Sequence, residues 1–130
     1  MSAQLFHAPD DAVTIDGPFE LKRRLKALVA GPDAAPILVE LVTQTGARLE
    51  IGLGSTLSVL STIPPSLDPP YFISVSADPP VDETEVGYPF AGEWSYFSSR
   101  HQIPTPIAIR AACSFLETGN PPAFVQWEEA

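Results

Sequence analysis

A chain of 130 residues with 45% hydrophobic content is long enough, and apolar enough, to fold as one domain around its own core. Its net charge of −9 argues against nucleic acid or an anionic membrane as partner and favours a basic protein surface, while a lone cysteine, Cys113, rules out an internal disulfide framework. The N-terminal MSAQLFHAPDD has no basic-then-apolar signal pattern and no apolar run approaches a membrane span, so the expectation is a cytoplasmic protein with a single domain over 1–130.

Residues 1–15 read as an extended lead-in, in which Leu5, Phe6, Val13 and Ile15 could add a strand. Asp16-Gly17-Pro18 is a helix start, with Asp16 or Gly17 as cap and Pro18 in the first turn. Leu21, Leu25, Leu28 and Val29 then repeat on one helical face, the basic run Lys22, Arg23, Arg24 and Lys26 falls largely on the other, and Gly31-Pro32 is the stop. Residues 37–43 and 47–53 form a predicted β-hairpin. A two-residue loop at Thr45-Gly46 would set Glu40 opposite Ile51. A three-residue loop over Thr45 to Ala47, with Gly46 at positive φ, sets Leu41 opposite Ile51 and Val39 opposite Leu53, which keeps one face apolar and is preferred.

Gly52-Leu53-Gly54 lacks the third glycine of a dinucleotide fingerprint and is followed by a strand, so a bulge or a close backbone approach explains its glycines better. Leu57 to Ile63 and Tyr71 to Ser76 are the third and fourth strands, separated by a proline-stiffened turn. Asp78 to Glu85 is an acidic loop. Val86 to Phe90 and Glu93 to Phe97 make a second hairpin across Ala91-Gly92, with Trp94 and Tyr96 on one face and Glu93 and Phe97 on the other. A second helix begins at Pro106, capped by Thr105, with Ala108, Ala111, Ala112, Phe115 and Leu116 inward, widened by Ile109 and Cys113. Gly119 ends it, and residues 123–127 form a last strand. The order implies an α+β fold: a mainly antiparallel sheet of five to seven strands with two helices packed on one face.

The chemistry of catalysis is sparse. The chain has two histidines, His7 and His101, and neither HExxH, CxxC nor GxSxG. No catalytic residue, metal ligand or cofactor site is assigned. His101 could act as a general base, against the plainer reading of a solvated or hydrogen-bonded loop histidine, and a carboxylate pair such as Glu83 and Glu93 is a further, weaker acid/base arrangement. Cys113 falls on the packed side of a helix, where a thiol is inert. Charge is more informative. From Leu49 to Ser99 no basic residue occurs, while Glu50, Asp68, Asp78, Asp82, Glu83, Glu85 and Glu93 all do. This is either a solvated acidic surface or an interface for a basic protein. Five aromatics, Tyr88, Phe90, Trp94, Tyr96 and Phe97, follow the acidic loop. Trp94 and Trp127 each read as core or as binding anchor, with core favoured, whereas Tyr71, Tyr88 and Tyr96 suit an interface because tyrosine joins contact area to a polar tip.

Residues 37–129 resemble a known family. The succession is Gly52-Leu53-Gly54 after a strand, Pro69-Pro70-Tyr71 opening another, Gly92-Glu93-Trp94-Ser95, Ile103-Pro104, then Ala111-Ala112, Phe115-Leu116, Gly119, Pro121-Pro122 and Val125-Gln126-Trp127-Glu128. In this order it looks like the immunity proteins of bacterial polymorphic toxin systems, specifically the family found beside deaminase-fold toxins. The resemblance implies a non-enzymatic α+β protein that binds a cognate toxin and blocks its active site; the free protein is separately expected to be a monomer. The toxin would be a zinc-dependent cytidine deaminase acting on nucleic acid, and the zinc would be the toxin's. Trp94, Phe115 and Trp127 stand at the family's typical aromatic positions, as architecture. On this reading Asp78, Asp82, Glu83 and Glu85 give charge complementarity to a basic groove, and Tyr88, Glu93 and Tyr96 give anchoring contacts. Another basic partner, such as a nuclease toxin, fits the same charge, and a small enzyme using His101 is the remaining alternative.

Overall fold

The leucine periodicity after Pro18 becomes helix α1, Pro18–Leu28, with Gly17 as its cap residue in extended conformation and Leu21 and Leu25 fully buried, in a computed structural model that describes residues 2–31 and 34–130. Pro32, half of the expected stop, lies outside the described residues. The second helix, α2, spans Thr105–Thr118, and Gly119 closes it at φ 71° with its N–H on the Phe115 carbonyl. Its buried side is the predicted one: Ala108, Ile109, Ala111, Ala112, Phe115 and Leu116. Thr105 is not the cap. It is the first helical residue and is buried, its hydroxyl donating to the Gly54 carbonyl at 2.8 Å and lying 2.7 Å from the Ser58 hydroxyl.

The strands are β1 (Ala3–Ala8), β2 (Asp11–Ile15), β3 (Ile37–Thr43), β4 (Arg48–Leu53), β5 (Leu57–Ile63), β6 (Phe72–Val75), β7 (Glu85–Phe90), β8 (Glu93–Ser98), β9 (Ile103–Pro104) and β10 (Gln126–Glu129). The main sheet runs β10-β6-β5-β4-β3-β1-β2, with the short β9 paired to β5, and every pairing is antiparallel. Strands β7 and β8 form a separate two-stranded sheet. The fold is α+β, as expected. Three local readings shift. The lead-in is not a single optional strand but a hairpin, with Ala3 opposite Ile15 and β1 also paired to β3, because Leu5 and Ile15 are fully buried in the core. The last strand is Gln126–Glu129, not 123–127: residues 123–125 turn back, with the Val125 N–H on the Pro122 carbonyl, and the pairing to β6 starts only at Gln126.

The third shift concerns the β3–β4 loop. Its length is three residues and Gly46 has φ 92°, as expected, but the loop is Gln44 to Gly46 and Thr43 faces Ala47. Val39 therefore pairs with Ile51 and Leu41 with Leu49. The register moved by two residues, so the same face stays inward. The reason is local. A three-residue hairpin loop wants its left-handed residue last, and only this position puts Gly46 there.

Alternation gives the main sheet two buried surfaces. Val39, Leu41, Leu49, Ile51, Leu53 and Leu60 meet α1 and α2 on one side. Leu38, Val59 and Ile73 on the other side meet Tyr88 from the small β7–β8 sheet, with Val86, Phe90 and Phe97 packed around them. The hairpin is thus docked on the face opposite the helices. The glycine at 52 makes this possible: a Cβ there would lie 2.8 Å from the Tyr88 ring.

The β7–β8 turn places Ala91 at φ 51° and Gly92 at φ 85°, a two-residue turn with both centres left-handed. An alanine there costs about 1–2 kcal/mol. Ala91→Asn is expected to stabilise the protein by about 0.5–1 kcal/mol, read as a higher urea midpoint at unchanged m-value.

Beyond the hairpin, the outer face carries Glu40 directly opposite Glu50. Arg48 Nη1 donates to Glu40 Oε1 at 2.7 Å. Burial, and secondarily the Glu40 charge, push the Glu50 carboxyl above its ordinary 4.5. In the folded state Glu50 therefore keeps a proton that the unfolded chain has already released, so its contribution to stability falls as pH rises from about 4.5 through the raised value. Glu50→Gln is expected to match the parent in thermal denaturation at pH 4 and exceed it at pH 7; equal melting at both values would show that the burial costs nothing.

Candidate functional site

The acidic loop is a closed unit. The Ser76 N–H donates to the Arg100 carbonyl at 2.8 Å, the Ser99 N–H to the Thr84 carbonyl at 2.8 Å, and the Thr84 N–H to Ser99 Oγ at 2.9 Å. Both ends of the loop are therefore clipped to a single 3-10 turn, Ser99–His101. Within it Asp78, Asp82 and Glu83 are exposed, as is Glu85 at the start of β7. Arg100 stands behind the loop. It pairs with Glu128 and lies 3.9 Å from Glu83, which also accepts from Ser98 Oγ at 2.6 Å. Part of the Glu83 charge is thereby compensated, while Asp78, Asp82 and Glu85 have no ion pair among the described residues.

The hairpin adds an aromatic ledge. Trp94 and Tyr96 project from β8 on the side away from the sheet, 52% and 59% exposed, and their rings stack with centroids 6.3 Å apart and 17° between planes. They lean over Gly87, whose absent Cβ would lie 2.9 Å from each ring. A cleft of about 400 Å³ between loop and hairpin is lined by Glu83, Glu85 and Tyr96 together with Thr84, Phe97 and Ser98. The structure thus brings Glu83, Glu85 and Tyr96 to one place. Glu93 is exposed at the far tip beside the turn, opposite Phe90.

Tyr88 is corrected by its surroundings. It is 3% exposed, its ring lies against Gly52 and Phe97, and its hydroxyl donates to the Leu57 carbonyl at 3.3 Å and accepts from Gln102 Nε2 at 3.2 Å. It holds the hairpin on the sheet and is not an anchoring surface. Burial raises its phenol above the ordinary value, opposed in part by the Gln102 bond. Trp94, expected in the core, is instead the exposed partner of Tyr96. Sequence alternation had put these two on one face; what it lacked was which face looks inward. Trp127 is half-buried against the main core, its indole N–H on the Pro122 carbonyl at 2.9 Å.

His101 is held at both nitrogens. Nδ1 lies 2.9 Å from the Ser74 carbonyl, and Nε2 faces Glu128 at 3.5 Å. A ring so engaged bridges β6 and β10. Cys113 donates from Sγ to the Pro18 carbonyl at 3.4 Å, and burial pushes its thiol up, which disfavours a thiolate. Among the described residues no group of three or more His, Cys, Asp or Glu side chains could hold a metal ion, and no helix is long and apolar enough to cross a membrane.

A carboxylate loop beside an exposed, stacked pair of aromatic rings has the side-chain composition that protein-binding surfaces use. Comparison with protein families makes this specific. The immunity protein Imm1 family matches residues 9–129, and the chain belongs to that family of immunity proteins. A search among curated proteins gave no match.

Proposed function

We propose that this protein neutralises a cognate toxin, a nucleic-acid cytidine deaminase, by covering its basic substrate groove. Membership of the Imm1 immunity family carries the reading, and the acidic loop beside the Trp94–Tyr96 ledge supports where the contact lies. Asp78, Asp82, Glu83 and Glu85 take the place of substrate phosphates, Tyr96 and Trp94 supply the desolvated centre, and Glu93 contacts the rim. The protein contributes no reaction of its own, needs no cofactor, and acts as a monomer joining the toxin one to one in the cytoplasm. The toxin keeps its own zinc.

The first test is co-expression with the toxin domain encoded beside it, followed by co-purification and assay of the freed toxin. Survival, a one-to-one complex and a deaminase activity that the complex lacks would support the reading. A complex whose freed toxin cleaves nucleic acid would replace the deaminase by a nuclease, and death without a complex would remove the pairing altogether.

Charge makes a separate prediction. Reversing Asp82, Glu83 and Glu85 together to lysine should slow association at low salt by about tenfold or more, because exposed charges act mainly on encounter rate. The difference should shrink toward 0.5 M salt as the Debye length falls to a few ångströms. Stopped-flow association at several salt concentrations reads it, and a salt-independent loss would place these residues outside electrostatic steering.

A further inference from the structure

Five of the seven basic residues of this acidic chain, Lys22, Arg23, Arg24, Lys26 and Arg110, lie on the two helices, across the main sheet from the hairpin. Lys22 and Lys26 stand one turn apart on α1 with Val29 as its C-terminal cap residue, and Ile109, Arg110 and Cys113 follow at i, i+1 and i+4 along α2. Between them runs a groove of about 590 Å³. Its lining is mainly apolar, with Val29, Pro106, Ile109 and Cys113 beside the smaller polar Ser55 and Thr105, and three cations, Lys22, Lys26 and Arg110, stand along it. The Arg110 guanidinium lies 4.2 Å from the centre of the Phe124 ring, which fixes its position at the edge. Neither lysine nor Arg110 is ion-paired among the described residues, although the chain carries sixteen Asp and Glu. Glu117, one turn beyond Cys113, is close enough to act on that thiol, yet it pairs with none of the three cations.

We propose that this groove binds a small amphipathic anion, a carboxylate head on an alkyl chain. The volume lies within the range of small-molecule sites, roughly 300–1,000 Å³. The reach from Lys22 to Val29 along α1 is about 10 Å, close to the length of an eight- to ten-carbon chain. An apolar floor accepts the chain and three unpaired cations accept the head. A neutral or cationic amphiphile would satisfy only the floor, and a short carboxylate only the rim. The site is independent of toxin binding, which the hairpin on the other face of the sheet serves.

Decanoate is the probe, titrated calorimetrically into the full chain below its micellar concentration. One-to-one binding with a dissociation constant of about 10–100 µM is expected. Hexanoate should bind at least tenfold more weakly, since each buried methylene is worth roughly fourfold. Decyltrimethylammonium should show no saturable binding. The exposed double substitution Lys26→Glu with Arg110→Glu should weaken decanoate at least tenfold while leaving the circular dichroism spectrum unchanged. Cys113 reports the location: saturating decanoate should slow its alkylation by iodoacetamide at least threefold. The proposal is overturned if decanoate does not saturate by 1 mM, if decyltrimethylammonium binds as well, if the charge reversal has no effect, or if Cys113 alkylation is unchanged at saturation.

Discussion

Replacing Trp94 and Tyr96 together by alanine is expected to weaken toxin binding by about 100-fold or more, the loss that follows when a central aromatic pair is removed from an interface. Both side chains are more than half exposed, so their area is not invested in the core. Yet they are not loose. They stack on each other and lean on Gly87, which restricts their rotamers before any partner arrives. Pre-ordered contact area loses less entropy on binding. Because the rings touch, the single substitutions should not add: each alone releases its neighbour, and the first is expected to account for most of the loss. Folding stability should fall by no more than about 1 kcal/mol, as for surface substitutions with limited packing. Calorimetric titration with the purified toxin domain and urea unfolding measure the two quantities. Binding within threefold of the parent would move the interface off this hairpin, even if neutralisation itself stands.

Gly52→Val is the counterpart on the stability side. A Cβ at this position meets Cγ and Cδ2 of Tyr88 at 2.8 Å, and the tyrosine has nowhere to go beneath the hairpin. Overpacking of this kind costs about 1–3 kcal/mol when the neighbour can yield. Here the neighbour is the plug of the second core, so the upper end, about 3 kcal/mol, is expected. Tyr88→Ala should cost about 3–5 kcal/mol by leaving a cavity over Leu38, Val59 and Ile73. The combination tests the mechanism. With the ring gone, the valine fills part of the space it had invaded, so the double substitution should cost less than the sum of the two, by more than 1 kcal/mol. Additive penalties would mean that Gly52 is needed for its backbone and not for the space above it. Toxin binding should fall alongside, because the aromatic ledge rides on a hairpin that has lost its seat.

How much of this could be read beforehand depended on the range of the deciding contact. Both helices, the turn glycines at 46 and 119, and the strand Leu57–Ile63 rest on local periodicity and local turn chemistry, and the sequence carries those directly. The N-terminal hairpin was legible in part. Pro9-Asp10 between Leu5 and Val13 is a turn signal, but the partner that buries Leu5 is Leu41, far along the chain. Tyr88 and Trp94 show the same limit at the site. Their strands alternate correctly on paper, and the pairing across Ala91-Gly92 is as expected. Which face turns inward is decided by a vacancy at Gly52, more than thirty residues upstream, and no periodicity within the hairpin encodes that. The carboxylates of the loop were visible as composition. Their gathering around the Ser99–His101 turn is a matter of backbone hydrogen bonds that composition does not reveal.

That arrangement of the acidic loop bears on how the protein can change. A segment whose two ends are tied at one turn makes no demand on the sheet through its middle, so its residues and even its length can be exchanged without re-folding the rest. Doubling such a loop adds only about 0.6 kcal/mol of closure entropy. The loop is therefore a replaceable cassette, and if it makes the toxin contact proposed above, a lineage facing new toxins could rewrite recognition there while inheriting the scaffold intact.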